Sequence, residues 1–383
     1  MDSRAHGSSP DAQTAHMSRE DADESAGIIA WLREHALALL ASLLFAGAFV
    51  WLLERGALPV VPPHDAWGSV KGWAVACYVV LFVLVHLVRC SRWGFLVSQA
   101  RRPTLGLTLG IGLVGYAALV LLPFRLGEAA RPALMHSRAK LPLGTSAGVV
   151  GAERILDGLV LSSVLLVALL GARLVSPLPD HIGQLPVPAA IIPGLAWAGV
   201  AVFGALSLGM VAFFLWQEPF RRLIESLLGR VAPRLASRLA LAAGSVADGL
   251  RFLRDRSSAP AFALLTFIYW ALNMLGMWLL LWGAGLPSAT LGEASVILGV
   301  LGLGLVVPNA PGFFGTFQIS AYSAMVLFYP LDDVTREGAA FVFLLYAVQM
   351  SIILGAGGIA LFLGLRRRHE LPASAWRGGR PVD

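Results

Sequence analysis

The stretch LLPFRLGEAARPALMHSRAK, residues 121–140, decides how the chain folds. It closes an apolar run that begins at residue 104, and then sets Arg125, Glu128 and Arg131 within seven positions beside Pro123 and Gly127. A segment of roughly 18 apolar residues is long enough to cross a hydrocarbon core. The flanking charges argue against a simple crossing. The preceding segment 89–103 carries Arg89, Arg92, Arg101 and Arg102 with no acid, and the segment that follows is basic too. Basic short loops stay on the cytoplasmic side, so one crossing would put two cytoplasmic loops on opposite faces. A re-entrant hairpin removes the conflict.

The same reasoning applies to 291–329, where VVPNAPGFFGTFQIS places Pro308, Pro311, Gly312 and Gly315 around Asn309 and Gln318. Proline and glycine leave amides and carbonyls outside the helix ladder, and such backbone survives at membrane depth only when buried in protein or lining a wet cavity. A kinked, packed helix is the plainer reading of that stretch; the density of breakers favours a broken one.

Composition sets the class. At 383 residues, 57% hydrophobic, 14% charged and with mean hydropathy +0.73, the chain is too apolar for one soluble domain. The expected fold is an all-α polytopic membrane protein with about six spanning helices plus two re-entrant hairpins. Candidate spans are 28–54, 72–90, 154–172, 188–216, 259–283 and 338–364. The arginine-rich segment 218–257 and the tail from Arg366 should face the cytoplasm; 55–71, 173–187, 284–290 and 330–337 should face outward.

The order of segments divides 27–365 into two halves, 28–172 and 188–364, each with two spans, a hairpin and a further span. The first hairpin opens to the cytoplasm and the second to the exterior, which makes an inverted repeat. Interrupted helices at matching positions of two halves are a sequence pointer to a transporter's binding site. Residues 1–26 are polar and expected to be a disordered cytoplasmic tail, and residues 366–383 a basic cytoplasmic one. The N-terminus lacks the basic and apolar regions of a signal peptide.

A net charge of +6 and a pI near 9.8 point to a membrane surface as partner and not to nucleic acid, because the basic residues lie in short loops. Between the halves, Arg230, Arg234 and Arg238 share one helical face and Leu223, Leu227, Val231 and Leu235 another, which suggests an amphipathic helix in the headgroup layer. With Arg89, Arg92 and Trp93 these arginines are expected to make interfacial lipid contacts. A nucleic-acid site would need aromatics interleaved among the basic residues, and Phe252 is nearly alone in that segment. Cys77 and Cys90 offer neither a disulfide framework nor a zinc spacing, and no cofactor or metal is expected.

Charged groups at membrane depth are costly, so each is a candidate site. Arg125, Glu128 and Arg131 stand three apart on a helix, and Glu153, Arg154 and Asp157 follow in GVVGAERILDGLVLSS. Arginine binds phosphate bidentately and a broken backbone frees N–H groups, so these six residues suit an anionic headgroup. Structural ion pairs that anchor a hairpin tip are the plain alternative. Pro123 and Gly127, with the second hairpin's breakers and Gln318, would form gates. Two enzyme motifs are missing: the sequence has no H-E-x-x-H and no phosphate loop ending in G-K-[ST].

PFRLGEAAR, Ser146, ERILDG and PNAPGFFGTFQ together resemble the transmembrane region of the lysylphosphatidylglycerol synthase family, the flippase-like domain of the multiple peptide resistance factor. The resemblance covers most of residues 30–365 and rests on Pro123, Arg125, Gly127, Glu128, Arg131, Glu153, Arg154 and Asp157. It departs at Phe313 and Gln318, where the family pattern has a glycine and a glutamate. What it implies is movement of a lipid between leaflets, without the aminoacyl transfer performed by a separate soluble domain of some members. The expected function is therefore a lipid translocase for an anionic lipid in a prokaryotic cytoplasmic (inner) membrane, with both termini cytoplasmic. Two rivals stay open: a lipid-binding accessory subunit of a lipid- or envelope-modifying enzyme, and an intramembrane transferase with Glu128 or Asp157 as base. A lipid-synthesising partner and a homo-oligomer are compatible with either.

Overall fold

A computed structural model describes residues 58–98, 103–179, 181, 189–216, 244–250, 258–306 and 310–366, with isolated positions between 44 and 55 and between 218 and 241. Most of the span expected at 28–54, both expected tails apart from Arg366, Arg101 and Arg102, the arginines at 230, 234 and 238, and Pro308 with Asn309 lie outside the described residues. Among those described, the chain is helical and holds no strand. In order come α1 (Gly72–Ser98), α2 (Leu105–Leu121), α3 (Ala130–Ala139), α4 (Leu143–Gly171) and α5 (Ile191–Leu215). Then follow α6 (Ser258–Gly283), α7 (Leu291–Gly304), α8 (Thr316–Met325), α9 (Leu331–Thr335) and α10 (Glu337–Arg366).

Five stretches, on α1, α4, α5, α6 and the α9–α10 segment, are long and apolar enough to cross a membrane. Each is apolar around most of its circumference, as befits a helix with lipid on one side and protein on the other. Val80, Leu84, Leu87, Leu170, Trp197, Leu208, Phe267 and Ile359 stand exposed on these helices. So much outward apolar surface is stable against hydrocarbon and not against water.

Two helices begin or end where local hydropathy does not place them. The apolar run suggests that α1 stops near residue 90, but it continues to Ser98 and carries Arg89, Arg92 and Trp93 on its last turns. Similarly, α4 begins at Leu143 and not at 154, so Ser146, Glu153, Arg154 and Asp157 all ride one helix. Partners distant in sequence, described below, are what make these charged turns stable.

The chain reverses direction at both expected hairpins. After α2, a 3-10 turn at Pro123–Ala129 folds back on the helix. A Cβ on Gly127 would lie 2.1 Å from the Ala118 carbonyl oxygen, and one on Gly115 would lie 2.2 Å from the Arg131 side chain. Those two contacts share one antiparallel register, and Ile111 and Met135, one turn further along, meet in the same core cluster. Past α7, a turn at Pro311–Phe313 leads into α8. There a Cβ on Gly304 would meet Ser320 Oγ, and Tyr329 donates to Glu293 at 2.6 Å, again an antiparallel register.

Packing interleaves the two hairpins with helices from elsewhere in the chain. α1 lies on α6, α2 on α10, α7 on α4, and α4 on α5. The largest core cluster, including Tyr78, Phe82, Trp270, Leu281, Phe317, Tyr322 and Phe341, fills the space between α1, α6, α10 and the hairpins. A second, with Trp93, Leu96, Met135, Val149 and Phe214, packs the end of α1 against α3, α4 and α5.

The Gly127 contact makes a test. Gly127→Ala forces a methyl into backbone and should destabilise the protein by about 3 kcal/mol, the upper part of the overpacking range. Gly110→Ala, on the same hairpin but with nothing within 4 Å of its Cβ, should be neutral or stabilising by about 0.5 kcal/mol. Unfolding of both variants in detergent measures the contrast; equal effects would refute the close approach at the turn.

Candidate functional site

A cavity of about 510 Å³ lies between α1, α2, α4, α5, α6, α7 and α10, and both hairpin turns reach it. Its charged lining comes from Arg89 on α1, Arg125 and Glu128 on the first turn, and Arg154 and Asp157 on α4. The remaining wall is mostly aromatic and aliphatic, with His86, Asn273 and Gln349 as further polar groups.

Behind that wall sits a buried set of four charges. Arg92 grips Asp157 with both terminal nitrogens, each at 2.6 Å, and reaches Glu153 at 3.1 Å. Arg131 donates to the other Glu153 oxygen at 2.7 Å and to the Tyr116 hydroxyl at 3.1 Å, while Tyr116 donates to Glu153 at 3.2 Å. Arg92 and Glu153 are 0% exposed and Arg131 2%. Aromatic rings complete the enclosure: Arg92 lies 4.8 Å from the Tyr269 ring, and Arg131 4.7 Å from that of Tyr116. Glu153 and Asp157 stand four apart on α4, so both present to one face, where α1 and α3 deliver the arginines. The set is neutral in sum, which is the condition for charges to persist at depth.

Arginines nearer the cavity have fewer carboxylates to share. Arg125 donates to Glu128 at 3.0 Å through Nε and to the Leu305 carbonyl at 2.6 Å, joining the tip of the first hairpin to the end of α7. Its φ of 60° is in the left-handed region, as is that of Phe313 at 56° on the other turn, a conformation that costs a non-glycine residue of order 1 kcal/mol or more. Arg154 has a 3.6 Å ion pair with Glu128, but its Nε and one terminal nitrogen have no hydrogen-bond partner. Arg89 stacks its guanidinium 3.7 Å over the Tyr116 ring and makes no carboxylate ion pair among the described residues. Outside the neutral set, three arginines thus face one carboxylate, and the cavity carries excess positive charge.

Several expected site residues are redistributed by the structure. Arg125, Glu128, Arg154 and Asp157 do line the cavity, whereas Arg131 and Glu153 belong to the buried set behind it. Arg92 and Trp93 are not interfacial lipid contacts: both are 0% exposed, because Asp157 and Glu153 neutralise one and the core at the end of α1 encloses the other. Arg89 faces the cavity and not the lipid surface. In the second turn, Gly312 and Gly315 adopt φ of 71° and 84°. Gln318 is buried, and its side-chain oxygen accepts the Gly315 N–H at 2.7 Å, so this amide closes the turn from within.

Residues 25–358, nearly the whole chain, match the family described as the lysylphosphatidylglycerol synthase TM region. The chain belongs to that family. It is also 22% identical over 308 residues to a protein named glycosyltransferase AglD from Haloferax volcanii, a similarity covering 76% of this chain and 49% of that protein. The chain therefore spans about half the length of this relative. No solved structure matches the chain.

For this family member, Tyr116, Asn273 and Gln349 are cavity residues that sequence reading did not select, and Arg89 was selected only as an interfacial contact. Polar Asn273 and Gln349 inside apolar runs carried a usable signal. Arg89 was masked by its place in a basic cluster at the end of a run.

The buried set predicts a double-mutant outcome. Arg92→Met leaves Asp157 uncompensated and should cost about 3–5 kcal/mol, whereas adding Asp157→Leu should recover at least half of that, since Glu153 retains Arg131. Thermal unfolding of the purified variants measures the coupling, and strict additivity of the two substitutions would contradict it.

Proposed function

We propose that this protein is a lipid translocase that passes an anionic lipid headgroup between leaflets through the cavity. The observation that carries the reading is the division of charge. Carboxylates Glu153 and Asp157 are consumed by Arg92 and Arg131, while Arg89 and Arg154 keep donors for an incoming anion. A cavity with such donors lowers the barrier to flip-flop, which is the cost of taking a charged headgroup through hydrocarbon. Arginine's planar fork suits a phosphodiester.

The two antiparallel hairpins serve this reading as re-entrant elements of an inverted repeat. Exchanging α1 with α6, α2 with α7, α3 with α8, and α4 with α10 converts the pairing of α2 on α10 into that of α7 on α4, and α1 on α2 into α6 on α7. Such exchange is what two repeated halves with a pseudo-two-fold axis produce. Arg125 bonded to Leu305 then bridges the two tips, holding them together on one side of the cavity. No phosphate-loop motif occurs in the sequence, so movement is driven by a lipid or ion gradient in this reading.

A second reading draws on the relative named as a glycosyltransferase: the same cavity would hold a lipid statically for a lipid-modifying enzyme. A transferase base at Glu128 or Asp157 has less support, because both carboxylates are engaged by arginines.

Leaflet exchange of fluorescent lipids in proteoliposomes separates the readings. Anionic lipid should exchange faster than zwitterionic lipid, and Arg89→Gln or Arg154→Gln should slow that exchange at least tenfold, the effect of about 1.5–3 kcal/mol for a lost charged hydrogen bond. Lipid binding without exchange above protein-free vesicles would reject translocation in favour of the static site.

For the hairpin, single cysteines at Thr104 and Ser137, both exposed, should react with a membrane-impermeant thiol reagent from the same side. Labelling from opposite sides would exclude re-entry.

A further inference from the structure

We infer that the cavity selects a phosphodiester lipid whose headgroup is a ring polyol, an inositol or a sugar; this rests on the translocase reading and names its substrate class. The volume of about 510 Å³ far exceeds what a bare phosphate fills, so the cationic end cannot be the whole site. Away from the arginines, α6 and α10 each present a half-buried amide to the same cavity.

These two amides are oriented alike. Asn273 Nδ2 donates to the Tyr269 carbonyl at 2.7 Å, and Gln349 Nε2 donates to the Tyr78 hydroxyl at 3.0 Å. In each case the nitrogen is engaged by the protein and the side-chain oxygen is left as an acceptor. Neither oxygen has a hydrogen-bond partner among the described residues, so both are open to donors from a ligand or from water. The wall beside them is aromatic, with Trp270, Phe82 and Phe317. Aromatic faces next to amide acceptors suit the alternating C–H and O–H surfaces of a ring polyol, and acyl chains would leave the acceptors unpaired.

Position separates the two ends. α1 and α6 run antiparallel, with Lys71 N bonded to the Gly283 carbonyl and Gly276 facing Tyr78. That register sets Asn273 within a turn of the level of Tyr78, to which Gln349 is bonded, and Arg89 lies about 16 Å beyond Tyr78 along α1 at 1.5 Å per residue. Within the proposal, the interval between these levels, narrowed by side chains from both, takes the phosphate at one end and the ring at the other.

An ammonium would be the competing donor, as in a zwitterionic or aminoacylated headgroup. Charge disfavours it. Three cavity-facing arginines outnumber the available carboxylate Glu128, and Gln318 is turned into its own loop. At about 10 Å and an effective dielectric of about 20, each excess positive charge weakens ammonium binding on the order of tenfold. Hydroxyls carry no such penalty.

The test uses the full chain in nanodiscs and three lipids with identical acyl chains: phosphatidylinositol, phosphatidylcyclohexanol and phosphatidylethanolamine. Phosphatidylcyclohexanol keeps the ring and the single negative charge but has no free hydroxyl. Phosphatidylinositol should bind at least tenfold tighter than either of the others, as expected for two or more added hydrogen bonds. In Asn273→Leu and Gln349→Met that preference should shrink to less than threefold, while Arg89→Gln should weaken both anionic lipids together. Equal binding of the two anionic lipids by the wild type, or a preference for phosphatidylethanolamine, would overturn the inference without recourse to any variant. Selective binding with no leaflet exchange would instead reject translocation and leave the polyol site standing; exchange that ignores the hydroxyls would do the reverse.

Discussion

The neutral cluster of Arg92, Arg131, Glu153 and Asp157 fixes the relation of α1, α3 and α4, and the cavity depends on it. Removing any one of these charges would leave another unpaired where desolvation costs several kcal/mol. That constraint sets rotation as well as position. With Arg92 turned toward α4, Arg89, one turn earlier on α1, comes to the cavity; with Glu153 and Asp157 turned toward α1, Arg154 faces inward. The cluster stabilises the bundle and at the same time withholds two carboxylates from any ligand, which makes the accessible face cationic.

Both hairpin turns obey a related rule about backbone. A chain that breaks its helix at depth must find other partners for its amides and carbonyls. The structure supplies them from side chains: Gln318 accepts from Gly315, and Arg125 donates to Leu305 across from the other hairpin. Gly127 is needed for a different reason, since it lies directly on the α2 backbone and no larger residue fits. The charge cluster in residues 125–131 is thus a turn, a bridge between hairpins and a contribution to the buried set, all within seven residues.

Much of the fold was legible in the sequence because hydropathy is a local property. The spans α5, α6 and α10, and the reversals after α2 and α7, follow from apolar runs, prolines and loop charges. The end of α1 and the beginning of α4 were not legible. Arg89, Arg92 and Trp93 look interfacial to any local reading, and only Glu153 and Asp157, some sixty residues away, make helical burial favourable for Arg92. For the six charged candidates, the division into cavity-facing and buried members depends on which face of α4 meets α1. No spacing within one helix reveals that.

That division bears on how a headgroup could move. If every arginine were fully paired, binding an anion would first require breaking an internal ion pair, with its carboxylate left behind in a poor dielectric. Arg89 avoids this by resting on the Tyr116 ring, a partner that stabilises a cation without neutralising it. Arg154 avoids it by sharing Glu128 at a distance of 3.6 Å while Arg125 holds the same oxygen more closely. In the proposed translocation both accept and release a phosphodiester while Arg92 and Arg131 keep their partners. A binding surface whose counter-charges are already committed elsewhere changes little between its empty and occupied states, which is the electrostatic condition that the proposed translocation needs.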